Sequence, residues 1–388
     1  MMRPAHRLDR LPIYVFASLG AKLKALQADG IDVIRLDIGS PDGPPTEFVV
    51  KSLAKSAENP RQHGYPGYQG TIALRQEMAN YYRRRFGVEL DVADEILPLI
   101  GSKEGIANMA LAWLDPGDLA LVPDPGYPTY RMGALMAGAD VHGMPLVETN
   151  DFLPDLDAIP ADIARRARLM WLNYPNNPTG ATAPLDFFEK AVDFCRRHDM
   201  LLCHDAPYAD VCFEGYRAPS LLCIPGAIDV AVEFNSLSKS HNMAGWRVGM
   251  VVGNKTAIQA LLQIKSNVDS GIFLPIQDAA VAALTEDQSW IVARNKEYER
   301  RRDMIYDLLT NYWGVHVARP AASLYLWPKV PNDYTSGELA DKILTETGVS
   351  LTPGSAFGPH GEGYLRISVG QTTDKIIEAI GRLRTVRL

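Results

Sequence analysis

An α/β fold is predicted, with a large domain around a mostly parallel central sheet and a smaller α+β domain assembled from both chain ends. Three patterns predict it. Short apolar runs alternate with helix-length segments between about residues 95 and 255. Polar, turn-rich segments follow the ends of several of those runs. After about residue 285 a long polar stretch leads into a region organised differently.

Taken in order, Thr71 to Phe86 places Leu74, Met78, Tyr82 and Phe86 four apart and ends on Arg83, Arg84 and Arg85. That spacing makes one apolar helix face, and the cations suit the negative end of the helix dipole. Ile106 to Leu114 also reads as helix. The runs Leu119 to Val122, Leu169 to Leu172, Leu201 to Cys203, Val230 to Phe234 and Val248 to Val252 are near-continuously apolar. Strands covered on both faces read this way, and helix-length separations imply parallel pairing through crossovers. Farther on, Trp290 to Trp313 reads as helix, Ser323 to Trp327 and Tyr364 to Val369 as strands, and Ser336 to Thr347 and Thr373 to Leu383 as helices. The expected division is residues 1–44 packing with the small domain, 45–285 as the large domain and 286–388 as the small C-terminal domain.

The 388 residues carry 39 Lys and Arg against 46 Asp and Glu, a net charge of −7 that argues against general binding to nucleic acid or anionic membranes. Hydrophobic residues at 47% and charged residues at 22% are ordinary for a filled core, so disorder is not expected. No stretch approaches the roughly 20 apolar residues of a bilayer span. Met1 to Leu19 lacks the apolar core and cleavage site of a secretion signal, and a cytoplasmic location is expected. Cys195, Cys203, Cys212 and Cys223 match no zinc or redox spacing; buried thiols and no metal site are expected.

Ligands of open parallel sheets bind beyond the carboxyl ends of the strands, so polar residues there carry weight. Gly101-Ser102-Lys103 feeds a helix N-terminus, whose free N–H groups suit phosphate or a simple cap. Asn173-Tyr174-Pro175-Asn176-Asn177-Pro178-Thr179-Gly180 is a stiff turn holding amides at a strand end. Asp205 follows a buried strand, where a carboxylate needs a cation or donor. In Asn235-Ser236-Leu237-Ser238-Lys239, desolvation of Lys239 would favour the neutral amine and imine chemistry, and Arg247 offers a bidentate cation to a phosphate. Ser236-x-x-Lys239 also has the spacing of serine acylases, a reading that leaves Asp205, Asn177 and Arg247 without roles.

These segments, with Asp124-Pro125-Gly126-Tyr127-Pro128 and Gly245-Trp246-Arg247, fall in an order that resembles class I/II aminotransferases, the pyridoxal-phosphate enzymes of fold type I, from about Asp37 to Val369. Within that family the runs Ile264-Lys265-Ser266-Asn267-Val268-Asp269-Ser270-Gly271 and Gly101 to Ile106 are most similar to LL-diaminopimelate aminotransferases and their relatives. The resemblance implies pyridoxal 5′-phosphate as cofactor. It implies that Lys239 bonds covalently to it and later moves a proton, that Asp205 pairs with the pyridine nitrogen, and that Asn177 and Tyr208 bond its phenolic oxygen. By the same resemblance Tyr127 stacks on the ring, while Gly101, Ser102, Lys103, Ser236, Ser238 and Arg247 form the phosphate cradle. Tyr65 would reach the phosphate of a neighbouring subunit, making a homodimer with shared active sites. Arg366 would clamp the substrate α-carboxylate, with Gly39 allowing close backbone approach.

The implied reaction is ping-pong transfer of an amino group from an L-amino acid to a 2-oxo acid, 2-oxoglutarate or pyruvate. Tyr14, Tyr68 and Leu274 are expected at the distal end of the substrate. Many relatives carry a glutamate where this chain has Tyr68-Gln69, and usually an amide where it has Leu274; the less polar pocket weighs against diaminopimelate, which stays among the candidate donors. The alternatives are a lyase or synthase on the same scaffold and a non-catalytic sensor of the same fold. No strand is followed by the Gly-x-Gly-x-x-Gly of a dinucleotide-binding dehydrogenase.

Overall fold

The computed structural model describes residues 2–12 and 15–388, with side chains described from residue 18 onward in the second stretch. Strands are β1 Ile34–Arg35, β2 Ile96–Leu99, β3 Leu119–Asp124, β4 Asp140–Pro145, β5 Ala167–Asn173, β6 Leu201–Asp205, β7 Ala231–Ser236, β8 Gly249–Gly253, β9 Tyr325–Leu326, β10 Val349–Ser350, β11 Thr352–Pro353 and β12 Leu365–Ser368. Helices are α1 Val15–Ala28, α2 Glu47–Ala57, α3 Ile72–Phe86, α4 Ser102–Trp113, α5 Pro128–Ala137, α6 Ala161–Arg166, α7 Leu185–Arg197, α8 Leu237–Ser240, α9 Lys255–Val268, α10 Leu274–Thr285, α11 Ser289–Asp307, α12 Ser336–Thr347 and α13 Thr373–Leu383.

The seven-stranded sheet has the order β2-β8-β7-β6-β5-β3-β4. Pairing is parallel from β7 through β4, but β8 runs antiparallel to both β7 and β2. The expectation that the Val248 to Val252 run pairs in parallel is therefore corrected: only twelve residues separate β7 from β8, a connection that holds α8 but no crossover helix. Because β8 reverses, its first residue lies at the edge where β2 and β7 end; Gly249 faces both Leu99 and Ser236.

Side chains alternate across β6. Leu202 points into a core built with Leu74, Met78 and Tyr82 of α3, Phe188 and Val192 of α7 and Ala280 of α10. Leu201 and Cys203 point into the opposite core, with Ile106 and Met109 of α4, Tyr130 and Ala134 of α5 and Leu261 of α9. Each fully buried Leu, Ile or Phe stabilises by roughly 1.5–3 kcal/mol, so the sheet is held from both faces. A third core gathers Ile34, Leu36, Leu326, Ile343, Ile367 and Ile376 from both ends of the chain. There β1 pairs in parallel with β10, and β11, β12 and β9 form an antiparallel sheet.

Local chemistry sets several boundaries. Thr71 accepts from the Leu74 N–H and starts α3, and Thr335 with Glu338 closes a reciprocal cap on α12. The single helix expected over Trp290 to Trp313 is α11 followed by a π-helical stretch, Leu308–Tyr312. The strand expected from Ser323 begins only at Tyr325, because Ser323 has φ 79°. Of the expected buried thiols, Cys195 and Cys203 are buried and Cys212 is half-buried, whereas Cys223 is exposed and bonds the Phe86 carbonyl. Among the described residues no helix is long and apolar enough to cross a membrane, and no cluster of three or more acidic, His or Cys side chains could hold a metal ion.

Candidate active site

The carboxyl ends of β2, β5, β6 and β7 and the start of β8 meet at one sheet edge, under β12 and the segment after β1. A cavity of about 350 Å³ opens there. It gathers Lys239, Asp205, Tyr208 and Asn177, and Ser102, Lys103, Ser236, Ser238 and Arg247 around them. Tyr127, Gly39 and Arg366 also line it.

Lys239 sits in the short helix α8, and its Nζ donates to the Gly39 carbonyl at 2.5 Å. Burial, then the Arg366 and Arg247 charges, hold its amine down at about 8, so about a tenth of it is neutral at pH 7. Gly39 can take no side chain: a Cβ would overlap the Tyr325 hydroxyl. That hydroxyl shares a 2.7 Å hydrogen bond with Tyr208, whose own ionisation burial pushes far up.

Asp205 ends β6 and is fully buried. Tyr130 donates to its Oδ2 at 2.6 Å, and the Tyr130 ring stacks on Trp171 with centroids 4.9 Å apart. Among the described residues, its Oδ1 is buried without a hydrogen-bond partner. Burial raises the carboxyl from 3.8 to about 6 against the pull of the Tyr130 bond, a cost on the order of 3 kcal/mol for the ionised form. A buried oxygen left without a donor in the same cavity as a lysine of lowered pKa is an incomplete site, with room for a cationic N–H.

Where α4 begins, Gly101 has φ 72° and lies so close to the Arg247 guanidinium that a Cβ would strike it. Ser102 begins α4, where free N–H groups and the helix dipole favour an anion. Ser236 accepts from the Ser238 N–H at 3.2 Å, and Arg247 donates to the Ala244 carbonyl at 2.7 Å and reaches the Ser238 hydroxyl at 3.5 Å. Arg366 donates to Asn177 Oδ1 at 2.9 Å and to the Asp37 carbonyl at 2.5 Å, between the rings of Tyr325 and Phe357. Asn177 is itself fixed by a bond from its N–H to Asn173 Oδ1, and Asn173 donates to the Asp205 carbonyl. The guanidiniums of Arg247 and Arg366 both line the cavity and both act on Lys239, a field that favours anions there.

Other expected residues lie elsewhere on the chain. Tyr65 is 91% exposed and Tyr68 half exposed, outside this cavity. Leu274 begins α10, next to exposed Phe273, and does not line the cavity either. The two segments pack on each other, since a Cβ at Gly271 would overlap the Gly67 carbonyl and His63 lies 5.8 Å from the Phe273 ring. Tyr14 lies outside the described residues. Sequence reasoning missed Tyr130, Tyr325 and Arg35. Tyr130 had a local signal, one helical turn after Tyr127; Tyr325 and Arg35 had none, because their site contacts are made by packing.

The residues present fit pyridoxal phosphate: an amine for its aldehyde, an unsatisfied carboxylate oxygen for its protonated ring nitrogen, and a helix N-terminus with arginine for its phosphate. Comparison with known proteins agrees. The family model for aminotransferase class I and II matches residues 31–383. The LL-diaminopimelate aminotransferase of Moorella thermoacetica is 48% identical over 385 residues, covering 99% of this chain and 98% of that protein. That of a Dehalococcoides mccartyi strain is 48% identical over 382 residues, covering 98% of each. Substrate-bound BacF from Bacillus subtilis superposes with a TM-score of 0.95 at 35% identity, covering 99% of this chain and 98% of that one. With the fold, the cavity and these likenesses in agreement, the chain belongs to the class I and II aminotransferases and is a pyridoxal-phosphate-dependent enzyme of that family.

Proposed function

We propose that Lys239 carries the cofactor, that Asp205 faces its ring nitrogen, and that Asn177 and Tyr208 bond its phenolic oxygen while Tyr127 covers the ring. Gly101, Ser102, Lys103, Ser236, Ser238 and Arg247 hold the phosphate, and Arg366 with Gly39 holds the substrate α-carboxylate. Bound there, pyridoxal phosphate supplies an electron sink for the pair left behind when the substrate Cα loses its proton. Lys239, with its amine lowered to about 8, is suited to accept that proton and return it. Asp205 keeps the opposite end of the site negative. Arg366 fixes the carboxylate bidentately and so aims Cα at the lysine.

The reaction is amino transfer from an L-amino acid to 2-oxoglutarate or pyruvate. LL-diaminopimelate, named for the two relatives above, is the reference donor, and Gln69 and Leu274 weigh against it. The active protein is a cytoplasmic homodimer in which Tyr65 of one subunit reaches the other's phosphate, and Tyr14, Tyr68 and Leu274 border the distal end of the substrate. Exposure of Tyr65, Tyr68 and Phe273 as one patch supports this. Residues 45–285 act as the large domain, and 286–388 with 1–44 as the part that closes over the substrate.

The observation that carries the reading is the buried, unpartnered Asp205 Oδ1 in the same cavity as Lys239. Borohydride reduction of the reconstituted protein followed by peptide mapping should label position 239 alone. A donor screen with both oxo acids should give amino transfer that depends on the acceptor. Label elsewhere, or ammonia release without an acceptor, would overturn the assignment.

A further inference from the structure

A second pair of charges lines the cavity and has no part in the roles above. Arg35 on β1 donates through Nε to Asp37 Oδ1 at 2.8 Å and through Nη2 to Asp37 Oδ2 at 2.6 Å. Both residues border the cavity that holds Lys239. Their exposures differ sharply: Asp37 is 1% exposed and Arg35 31%. Asp37 is thus spent on Arg35, while Arg35 is spent on Asp37 along one edge only. A guanidinium has five N–H donors in a fixed plane. Side-on pairing uses one hydrogen of Nε and one of Nη2, which leaves the end-on edge, Nη1 with the other Nη2 hydrogen, for a second partner. Among the described residues, the hydrogen bonds of this guanidinium go to Asp37 alone.

The arrangement also sets a direction. The carbonyl of Asp37 accepts from Arg366 and its carboxylate holds Arg35, so one residue spaces the two guanidiniums. A surface ion pair would not need a fully buried carboxylate to orient its arginine. Building on the aminotransferase reading, we infer that Arg35 is a specificity-determining residue whose open edge binds an anionic group at the far end of the substrate. The class it selects is the oxo or amino acid with a second carboxylate, over its monocarboxylic counterpart.

The test compares wild type, Arg35→Leu and Arg35→Lys as reconstituted holoenzymes. One readout is the ratio of kcat/KM for 2-oxoglutarate to that for pyruvate, with the donor that serves wild type best. The other needs no turnover: the dissociation constants of glutarate and butyrate, read from the cofactor absorbance or by calorimetry. Loss of a charge-assisted bidentate contact should lower the ratio and the glutarate preference by about ten- to a hundredfold in Arg35→Leu. Arg35→Lys, which keeps a point charge but not the planar edge, should fall between, and it decides the matter should the leucine variant not fold. Equal losses for both acids, or preferences within twofold of wild type, would reduce the pair to a brace for β1. A wild type that binds glutarate no better than butyrate would overturn the inference while leaving the aminotransferase reading intact. Absence of amino transfer to either acid would strike that reading itself, and glutarate binding would still judge Arg35.

Discussion

His204 and Asp205 are neighbours on β6, both buried and both polar, yet they face opposite sides of the sheet and opposite fates. His204 has acceptors at both ring nitrogens, Glu233 at 2.9 Å and the Tyr174 carbonyl at 3.1 Å. Glu233 in turn accepts from Tyr82, Ser220 and the Leu221 N–H. Every polar group in that network is answered within the chain. Across the sheet Asp205 has one oxygen answered by Tyr130 and one, among the described residues, by nothing. A completed buried network holds the fold together, and an incomplete one marks the place where something else must bind.

The strongest way to break this contrast is at the amine opposite Asp205. Lys239→Ala should lower amino transfer by roughly a thousandfold or more, given what positioned acid–base groups contribute. Single-turnover absorbance would measure it, and a normal rate would remove the site. On the other face, His204→Ala should cost about 2–4 kcal/mol of stability in urea, because it removes a hydrogen-bond partner from buried Glu233 and from the Tyr174 carbonyl and leaves a cavity against Phe188. Its reconstituted active fraction should still bind cofactor at Lys239. A loss of labelling at 239 with unchanged stability would invert the comparison.

Asp205→Asn sharpens it through pH. Folded, the carboxyl keeps its proton up to about 6, whereas unfolded it releases it near 3.8. Between those values the folded cofactor-free protein binds more protons, so its stability falls as pH rises through the window. The asparagine variant lacks that slope, and its stability relative to wild type should grow by about 3 kcal/mol from about pH 4 to about pH 7. Urea titrations of both apoproteins across that range would show parallel curves if Asp205 were not desolvated. The smallest effect belongs to Tyr130→Phe, which removes the one donor the Asp205 carboxylate has among the described residues. A loss of about 1 kcal/mol and a further rise of the carboxyl midpoint are expected, the latter followed by carbon-13 NMR of the labelled aspartate.

Much of the site was legible because its parts lie in short segments at strand ends. Ser236, Ser238, Lys239 and Arg247 fall within one connection, and Asn176, Asn177 and Gly180 within one turn. The helices Ser336–Thr347 and Thr373–Leu383 were legible from end to end, since caps and apolar periodicity agree there. Strand direction was not legible: Val248 to Val252 reads the same whichever way it runs, and only the length of the link before it distinguishes the two. β4 gave no signal, because Asp140, Val141, His142 and Gly143 at the sheet edge form no apolar run. Tyr325 reaches Tyr208 across 117 positions, a contact that belongs to packing rather than to any local pattern.

The reversal of β8 has one more consequence. Lys239 and Arg247 are carried on the same link, anchored before it by Ser236 and after it by Gly249, which face each other in register, and cinched by the Leu237 N–H on the Val248 carbonyl at 3.1 Å. The number of residues between those anchors therefore acts as a ruler between the amine and the guanidinium. Changing a side chain along the ruler alters its markings, but inserting or deleting a single residue changes its length and with it the spacing of the two charges that line the cavity.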